Sequence, residues 1–139
     1  VTMTQTDPAI AALARVREAD DRLDAALTLD EADNARRQAF AIDMAAAETR
    51  PTTWQGAAAK LRDVAVSLES GHLAPELAPL VTAIAERFDA GAPALDDAAN
   101  VRMLEAYVSR YVEEWGEHPE ALAHLATVRR WAAAPRVVR

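Results

Sequence analysis

Residues 7–28 read DPAIAALARVREADDRLDAALT, and this stretch shows the pattern that decides the fold. Alanine fills 34 of the 139 positions, and larger apolar residues recur among the alanines at helical intervals. Here Leu13, Val16, Leu23 and Leu27 follow one another at intervals of three, seven and four, which is typical of one face of a helix. The chain is therefore predicted to be all-α, with small side chains that let neighbouring helices approach closely.

The first half of the chain is predicted to hold three helices. Asp7-Pro8 starts the first helix, which runs to about residue 28, and Asp30 caps the second. A link of only one or two residues predicts an antiparallel αα-hairpin. Thr52 and Gln55 have the spacing of a capping box, which starts helix three.

The second half is predicted to hold about three shorter helices. One turn around 75–78 leads into helix four, Asp96 or Asp97 caps helix five, and His118-Pro119 starts helix six, which ends at Pro135. We therefore expect one helical domain over 1–139, a compact bundle. It would comprise the hairpin plus helix three over 8–70, the C-terminal helices over 75–134 and a frayed tail over 135–139.

Composition excludes several classes of protein. With 22 acidic and 15 basic residues the net charge is −7, which repels phosphate and makes nucleic acid an improbable partner. The absence of cysteine excludes disulfides and thiolate metal sites. No apolar run approaches the ~18 residues of a membrane span, and no signal peptide precedes the first helix, so a bacterial cytoplasmic protein is the expectation.

Catalytic and metal-binding patterns are not recognisable. His118 and His124 are six residues apart, which places them on different faces of a helix and does not match His-x-x-x-His. No serine lies in a nucleophile elbow, and the four glycines are dispersed. We therefore expect no catalytic residue, no metal and no cofactor, and the chain is not predicted to be an enzyme.

Helix five carries the clearest candidate interaction surface. Tyr107, Tyr111 and Trp115 follow one another every fourth residue, beside the stripe that contains Val101, Leu104 and Val108. The resulting apolar surface is wide enough for a core edge and a partner groove. Arg129 and Arg130 begin an acid-free basic end, which either complements the helix dipole or docks on an acidic surface.

Asp20 interrupts the apolar face of the first helix. Either it lies at the edge of the stripe or pairs with Arg50 or Arg62, or it is a buried polar group that lines a cleft.

These features favour a helical protein–protein interaction or structural module that binds another protein or itself, for example as a homodimer. One alternative is a nucleic-acid-binding regulator with a degenerate helix-turn-helix over Thr53–Leu73. Its basic footprint is weak, because residues 51–91 hold three bases and five acids. The other alternative is a ligand-binding bundle with an internal pocket.

Residues 45–62 read AAAETRPTTWQGAAAKLR and contain Pro51, Thr53, Gly56 and Lys60 as Pro-x-Thr-x-x-Gly-x-x-x-Lys. Over about residues 8–70 the chain resembles a family of small, uncharacterised helical proteins of bacteria, often of phage or mobile-element type. The resemblance implies a hairpin followed by a helix and no known function.

The same residues also have a structural interpretation. Pro51 and Thr52 separate two helices, and Gly56 indicates the close approach of another backbone. Lys60, the only lysine, is predicted to be solvated with its stem on the hairpin, or else to receive an anionic group.

Overall fold

Six helices account for most of the computed structural model, which describes residues 7–71 and 73–133. They are α1 (Pro8–Asp24), α2 (Leu29–Glu48), α3 (Trp54–Ser70), α4 (Ala78–Asp89), α5 (Asp97–Trp115) and α6 (Pro119–Ala133), with a 3-10 turn at Pro75–Leu77 before α4. The described residues contain no strand. The predicted all-α bundle is confirmed, and the end of helix six, the tail over 135–139 and His72 lie outside the described residues.

The first two helices form the antiparallel hairpin. Leu13 and Val16, near the start of α1, share a small apolar cluster with Ala46, near the end of α2.

Two boundaries differ from the prediction. α1 ends at Asp24, so the link has four residues, and α2 is capped by Thr28, whose hydroxyl accepts the Glu31 N–H at 3.1 Å. Asp30 thus falls in the first turn of α2, where a carboxylate interacts favourably with the helix dipole.

α3 lies at the centre of the bundle and packs against α1, α4 and α6. Its apolar stripe and those of its neighbours build the main core, in which the largest buried apolar side chains are Leu61, Val64, Leu68, Val81, Ile84, Phe88, Val101, Leu104, Val108, Leu125 and Val128. Because α2 also packs on α6, the helices α2, α3 and α6 come together on one side of this core.

Helix ends follow local chemistry, with one shift from the prediction. The N-cap of α3 is Thr53, whose hydroxyl accepts the Gly56 N–H at 3.0 Å, and not Thr52. The hydroxyl and the backbone N–H of Thr52 and of Thr53 all donate to Asp7, and Thr53 additionally accepts the Gly56 N–H. Gly116 ends α5 in the left-handed conformation, with a φ of 68°, as its position in the sequence predicts.

Candidate functional site

The only lysine of the chain lies in the interior of the bundle. Lys60 is fully buried, and its Nζ donates to the carbonyl oxygens of Ala46 and Ala47, both at 2.9 Å. These carbonyls belong to the last turn of α2, so the ammonium caps that helix. The predictions of a solvated lysine and of an anion-binding spot are therefore both wrong. Burial lowers the pKa of Lys60 to about 8, although Asp63 and Asp7 act in the opposite direction.

A cluster of two carboxylates and one imidazole lies one turn from Lys60. Asp43 on α2, Asp63 on α3 and His124 on α6 each place a side-chain oxygen or nitrogen within 4.8 Å of the other two. His124 is fully buried, whereas both carboxylates are partly exposed. The three atoms are of the types that coordinate divalent metal ions.

The imidazole of His124 has no hydrogen bond within the described part of the chain. Its Nε2 lies 3.1 Å from Oδ2 of Asp63, but the contact is not aligned as a hydrogen bond, and Nδ1 has no partner either. Burial lowers the pKa of His124 despite the nearby Asp63. The ring is therefore held in its neutral form, with a nitrogen directed at a carboxylate.

Asp43 carries the strongest carboxyl perturbation of this cluster. Burial and the negative charges of Asp63, Glu120 and Asp20 raise its pKa to about 6. Glu120 lies one turn before His124 on α6. Its carboxylate also lies near His118, with 3.5 Å between Oε1 of Glu120 and Nδ1 of His118. The cluster therefore concentrates negative charge at a site that is only partly open to water.

Asp20 is exposed, so the prediction of a buried polar group is wrong. Ala19, and not Asp20, takes the buried position on this face of α1. Asp20 instead lines a surface groove with Arg62 and Asp63, and burial together with Asp24 and Asp63 raises its pKa. Arg62 forms its ion pair with Asp89, which leaves the suggested Asp20–Arg62 pair unmade.

The segment around Pro51 is organised by a residue far away in sequence. The buried carboxylate of Asp7 accepts hydrogen bonds from the N–H and hydroxyl groups of both Thr52 and Thr53, and from the N–H of Ala9. Burial opposes its ionisation, but these hydrogen bonds outweigh burial and lower its pKa. The carboxylate also lies against Gly56, so the close approach that glycine permits is that of a side chain and not of a backbone.

The predicted aromatic stripe on helix five is only partly covered. Trp115 is 63% exposed and Tyr107 is 42% exposed, although the Tyr107 hydroxyl donates to the carbonyl of Leu73 at 3.2 Å. Tyr111 is half-buried, and its ring lies near Trp115 and His118. The outer face of α5 therefore retains apolar surface.

The two basic residues proposed for docking differ in their surroundings. Arg129 is partly buried and forms a two-pronged ion pair with Glu105 of α5, so it joins two helices of the bundle. Arg130 is exposed.

The hairpin leaves its outer half uncovered. No residue from 20 to 40, which we call the outer hairpin, is buried. Leu27 is 91% exposed, Leu29 is 89% exposed and Phe40 is 59% exposed. The sequence pattern predicts that Leu27 lies on the apolar face of the first helix. In the structure α1 ends before Leu27, and the chain turns at that point.

A cavity of about 300 Å³ lies beside the α4–α5 link and is lined mainly by apolar side chains, among them Trp54 and Val101. Among the residues that the structure describes, neither Asp20 nor a histidine lines this cavity.

Sequence reasoning missed the cluster of Asp43, Asp63 and His124. Each residue lies on a different helix, so no spacing within one segment connects them. The sequence offers only a weak indication of the cluster. One histidine, His124, interrupts the apolar stripe of helix six, one turn after Glu120.

Comparisons with protein-family models, with curated proteins and with solved structures give no match to this chain. Within the described residues, no helix combines the length and the apolar character that a membrane crossing requires.

Proposed function

We propose that this chain is a non-enzymatic helical interaction module that binds a second copy of itself through the outer hairpin. A cytoplasmic location belongs to the same proposal and rests on the sequence analysis. The observation that carries the proposal is that no residue from 20 to 40 is fully buried, within a segment that has three large exposed apolar side chains.

Two helices alone do not cover the apolar surface of this hairpin. The residues of α2 that are half-buried in its outer part are mostly alanines, among them Ala32, Ala35 and Ala39, which bury little area each. Leu27, Leu29 and Phe40 remain in water. Two such hairpins packed together form a four-helix bundle, an arrangement that buries a shared apolar seam.

The charge of the hairpin changes sign along its length. Residues 20–33, at the tip, hold six acids and one base. Nearer the body of the protein lie Arg15, Arg17, Arg36 and Arg37, all exposed. If a second hairpin packs antiparallel to the first, the acidic tip of each copy lies beside the basic part of the other. Parallel pairing would instead bring the two acidic tips together, which is unfavourable.

The apolar residues fit the same antiparallel arrangement. Leu29 and Phe40 are eleven residues apart on α2, which corresponds to about 16 Å along the helix. A two-fold axis halfway between them brings the tip leucines of one copy against Phe40 of the other. The contact is then made twice, as a symmetric dimer requires.

A regulator that binds nucleic acid has less support. Among the three bases of residues 51–91, Lys60 is buried, and Arg62 and Arg87 are ion-paired with Asp89 and Asp97. Few free cations remain there for phosphate. The outer face of α5, with Tyr107 and Trp115, is the second surface on which a copy or another protein would bind.

Light scattering at micromolar concentration tests the proposal. The wild-type chain is expected to be a dimer, and Leu27→Ser/Leu29→Ser to be a monomer of unchanged helicity, because both leucines are exposed. Leu95→Ser is the matched control, since Leu95 is a fully exposed leucine outside the hairpin and its loss should leave the dimer intact.

Charge exchange tests whether opposite charges of the tip and the inner part pair across the interface between the two hairpins. Asp21→Arg/Asp24→Arg makes the tip basic, and Arg36→Glu/Arg37→Glu makes the inner part acidic, so each variant alone should fail to pair. An equimolar mixture should form a heterodimer. A monomeric wild-type chain would overturn self-association. A dimer that resists the leucine changes but is lost in Tyr107→Ala/Trp115→Ala would assign the interface to α5 and reject the hairpin.

A further inference from the structure

We propose that Asp43, Asp63 and His124 form a binding site for one divalent transition-metal ion where α2, α3 and α6 meet. The site is independent of the outer hairpin. It rests on the convergence of one nitrogen and two carboxylate oxygens within 4.8 Å of one another.

His124 distinguishes this cluster from an ordinary group of acidic residues on a protein surface. It is fully buried, and neither ring nitrogen has a hydrogen-bonding partner in the described residues. Leaving buried polar atoms unpaired is unfavourable by roughly 1–3 kcal/mol, so such atoms usually have a partner. A metal ion bound at Nε2, the nitrogen directed at Asp63, supplies that partner.

The distances suit a first-row ion. Metal–nitrogen and metal–oxygen bonds of about 2.0–2.2 Å place two ligands of one ion roughly 3–4 Å apart. Atoms that lie within 4.8 Å of one another reach this spacing by small side-chain rotations. Asp43 and Asp63 are partly exposed, so an ion has a path from solvent.

The charge of the cluster also favours a cation. The carboxylates of Asp63, Glu120 and Asp20 are near enough to that of Asp43 to repel it. Lys60 is the nearby positive group, but its Nζ is engaged with the carbonyls at the end of α2. A divalent ion would relieve the carboxylate repulsion directly.

The ligand types select the class of ion. One imidazole and two carboxylates favour Zn²⁺, Mn²⁺, Fe²⁺ or Co²⁺ over Mg²⁺ and Ca²⁺, which prefer oxygen ligands alone. Three protein ligands leave at least one coordination position for water. Glu120 lies one turn before His124, and its charge acts on Asp43, so it would also act on a water bound at the remaining coordination position.

Titration of chelator-treated protein with Co²⁺ and Zn²⁺, followed by calorimetry and by the visible absorption of Co²⁺, tests the site. We expect one ion per chain, and a shift of the His124 ring nitrogen resonances on Zn²⁺ binding. Asp43→Asn should weaken binding about tenfold or more, because it removes one ligand and keeps the side-chain volume. Asp96→Asn is the matched control: Asp96 is exposed, makes no capping hydrogen bond and lies directly before α5, outside the cluster.

His124→Gln should abolish the His124 signal and the Co²⁺ bands. If that buried substitution prevents folding, Asp43→Asn, at a partly exposed position, still decides the matter. The proposal fails if neither ion binds, if Asp43→Asn binds as tightly as wild type, or if Mg²⁺ displaces Co²⁺ at equal concentration. The last outcome would indicate only a non-selective acidic surface.

Discussion

The carboxylate of Asp7 occupies the space that a side chain at Gly56 would need. Five hydrogen bonds hold that carboxylate in place, from Ala9, Thr52 and Thr53. The N-cap of α1 therefore also fixes the turn before α3, and it does so only because residue 56 has no Cβ.

Gly56→Ala should destabilise the fold by about 2–4 kcal/mol, because the methyl group displaces a buried, hydrogen-bonded carboxylate. In an Asp7→Ala background the same change should be nearly neutral or should stabilise by up to about 1 kcal/mol, since alanine is the better helix former. Urea denaturation of the four proteins in this cycle measures the coupling. Additive effects of the two substitutions would contradict the contact.

Asp97 and its neighbour Asp96 should respond very differently to replacement by alanine. Asp97 is buried, accepts the Ala94 N–H at 2.7 Å and is bound by the guanidinium of Arg87. Burial opposes its ionisation, yet these contacts lower its pKa. Asp97→Ala should lower the free energy of unfolding by roughly 2–4 kcal/mol, because it leaves the partly buried Ala94 N–H and the Arg87 guanidinium without their partner.

Asp96→Ala is the control and should change stability by less than about 0.5 kcal/mol, as is usual for exposed residues that make no specific contact. Thermal and urea denaturation give both values. Equal losses in the two variants would show that helix capping, and not the Arg87–Asp97 pair, is what matters at this position.

Much of the fold could be predicted from local pattern. The intervals among apolar residues gave six helices, Gly116 gave the end of α5, and Pro119 gave the start of α6. The caps at Thr28 and Thr53 were displaced from the predicted positions. The hydroxyl of Thr53, which caps α3, also donates to Asp7. Asp7 is about 45 residues away in the sequence, so a local motif does not reveal this contact.

The candidate metal cluster could not be predicted in this way. Asp43, Asp63 and His124 come together only when α6 packs across α2 and α3, and a helical repeat does not specify that packing. Lys60 was misjudged for the same reason. Its buried position follows from where α2 ends, because Lys60 donates to carbonyl groups in the last turn of that helix. The sequence of α3 alone does not indicate that these carbonyls lie beside Lys60.

Lys60 should titrate well below an ordinary lysine. The chain has one lysine, so ¹³C labelling of lysine gives a single side-chain ammonium titration, and its midpoint should lie at about 8. Desolvation is the main cause, and Asp63 and Asp7 limit the shift. A midpoint near the ordinary value of about 10.4 would show that Lys60 is solvated.

The same shift has a consequence for stability. Between pH 8 and about 10 the unfolded chain binds the lysine proton more tightly than the folded chain does, so the free energy of unfolding should rise with pH. Lys60→Met should remove this rise. The comparison is best made below about pH 9.5, because tyrosine ionisation begins above it and the raised pKa of Tyr111 acts in the opposite direction.

Asp43 should make the metal-free protein less stable at neutral pH than in mild acid. Its pKa is about 6 in the folded chain, whereas an ordinary aspartate has a pKa of 3.8, so the folded state binds the proton more tightly between these values. The unfavourable contribution of Asp43 is therefore full above pH 6 and disappears as the pH falls towards 4. His124 acts in the opposite direction, because its lowered pKa makes protonation below 6.5 favour unfolding.

The two effects separate when Asp43→Asn is compared with wild type at each pH. The variant should be more stable by roughly 1–2 kcal/mol at pH 7, an amount reduced by solvent screening of the partly exposed carboxyl, and the advantage should vanish near pH 4. Urea denaturation in the presence of a chelator measures it. Saturating Zn²⁺ should reduce or cancel this advantage at pH 7, because the chain that keeps all three ligands binds the ion at least about tenfold more tightly and is stabilised more by it. An advantage of Asp43→Asn that is independent of pH would show that packing, and not the carboxyl charge, is responsible.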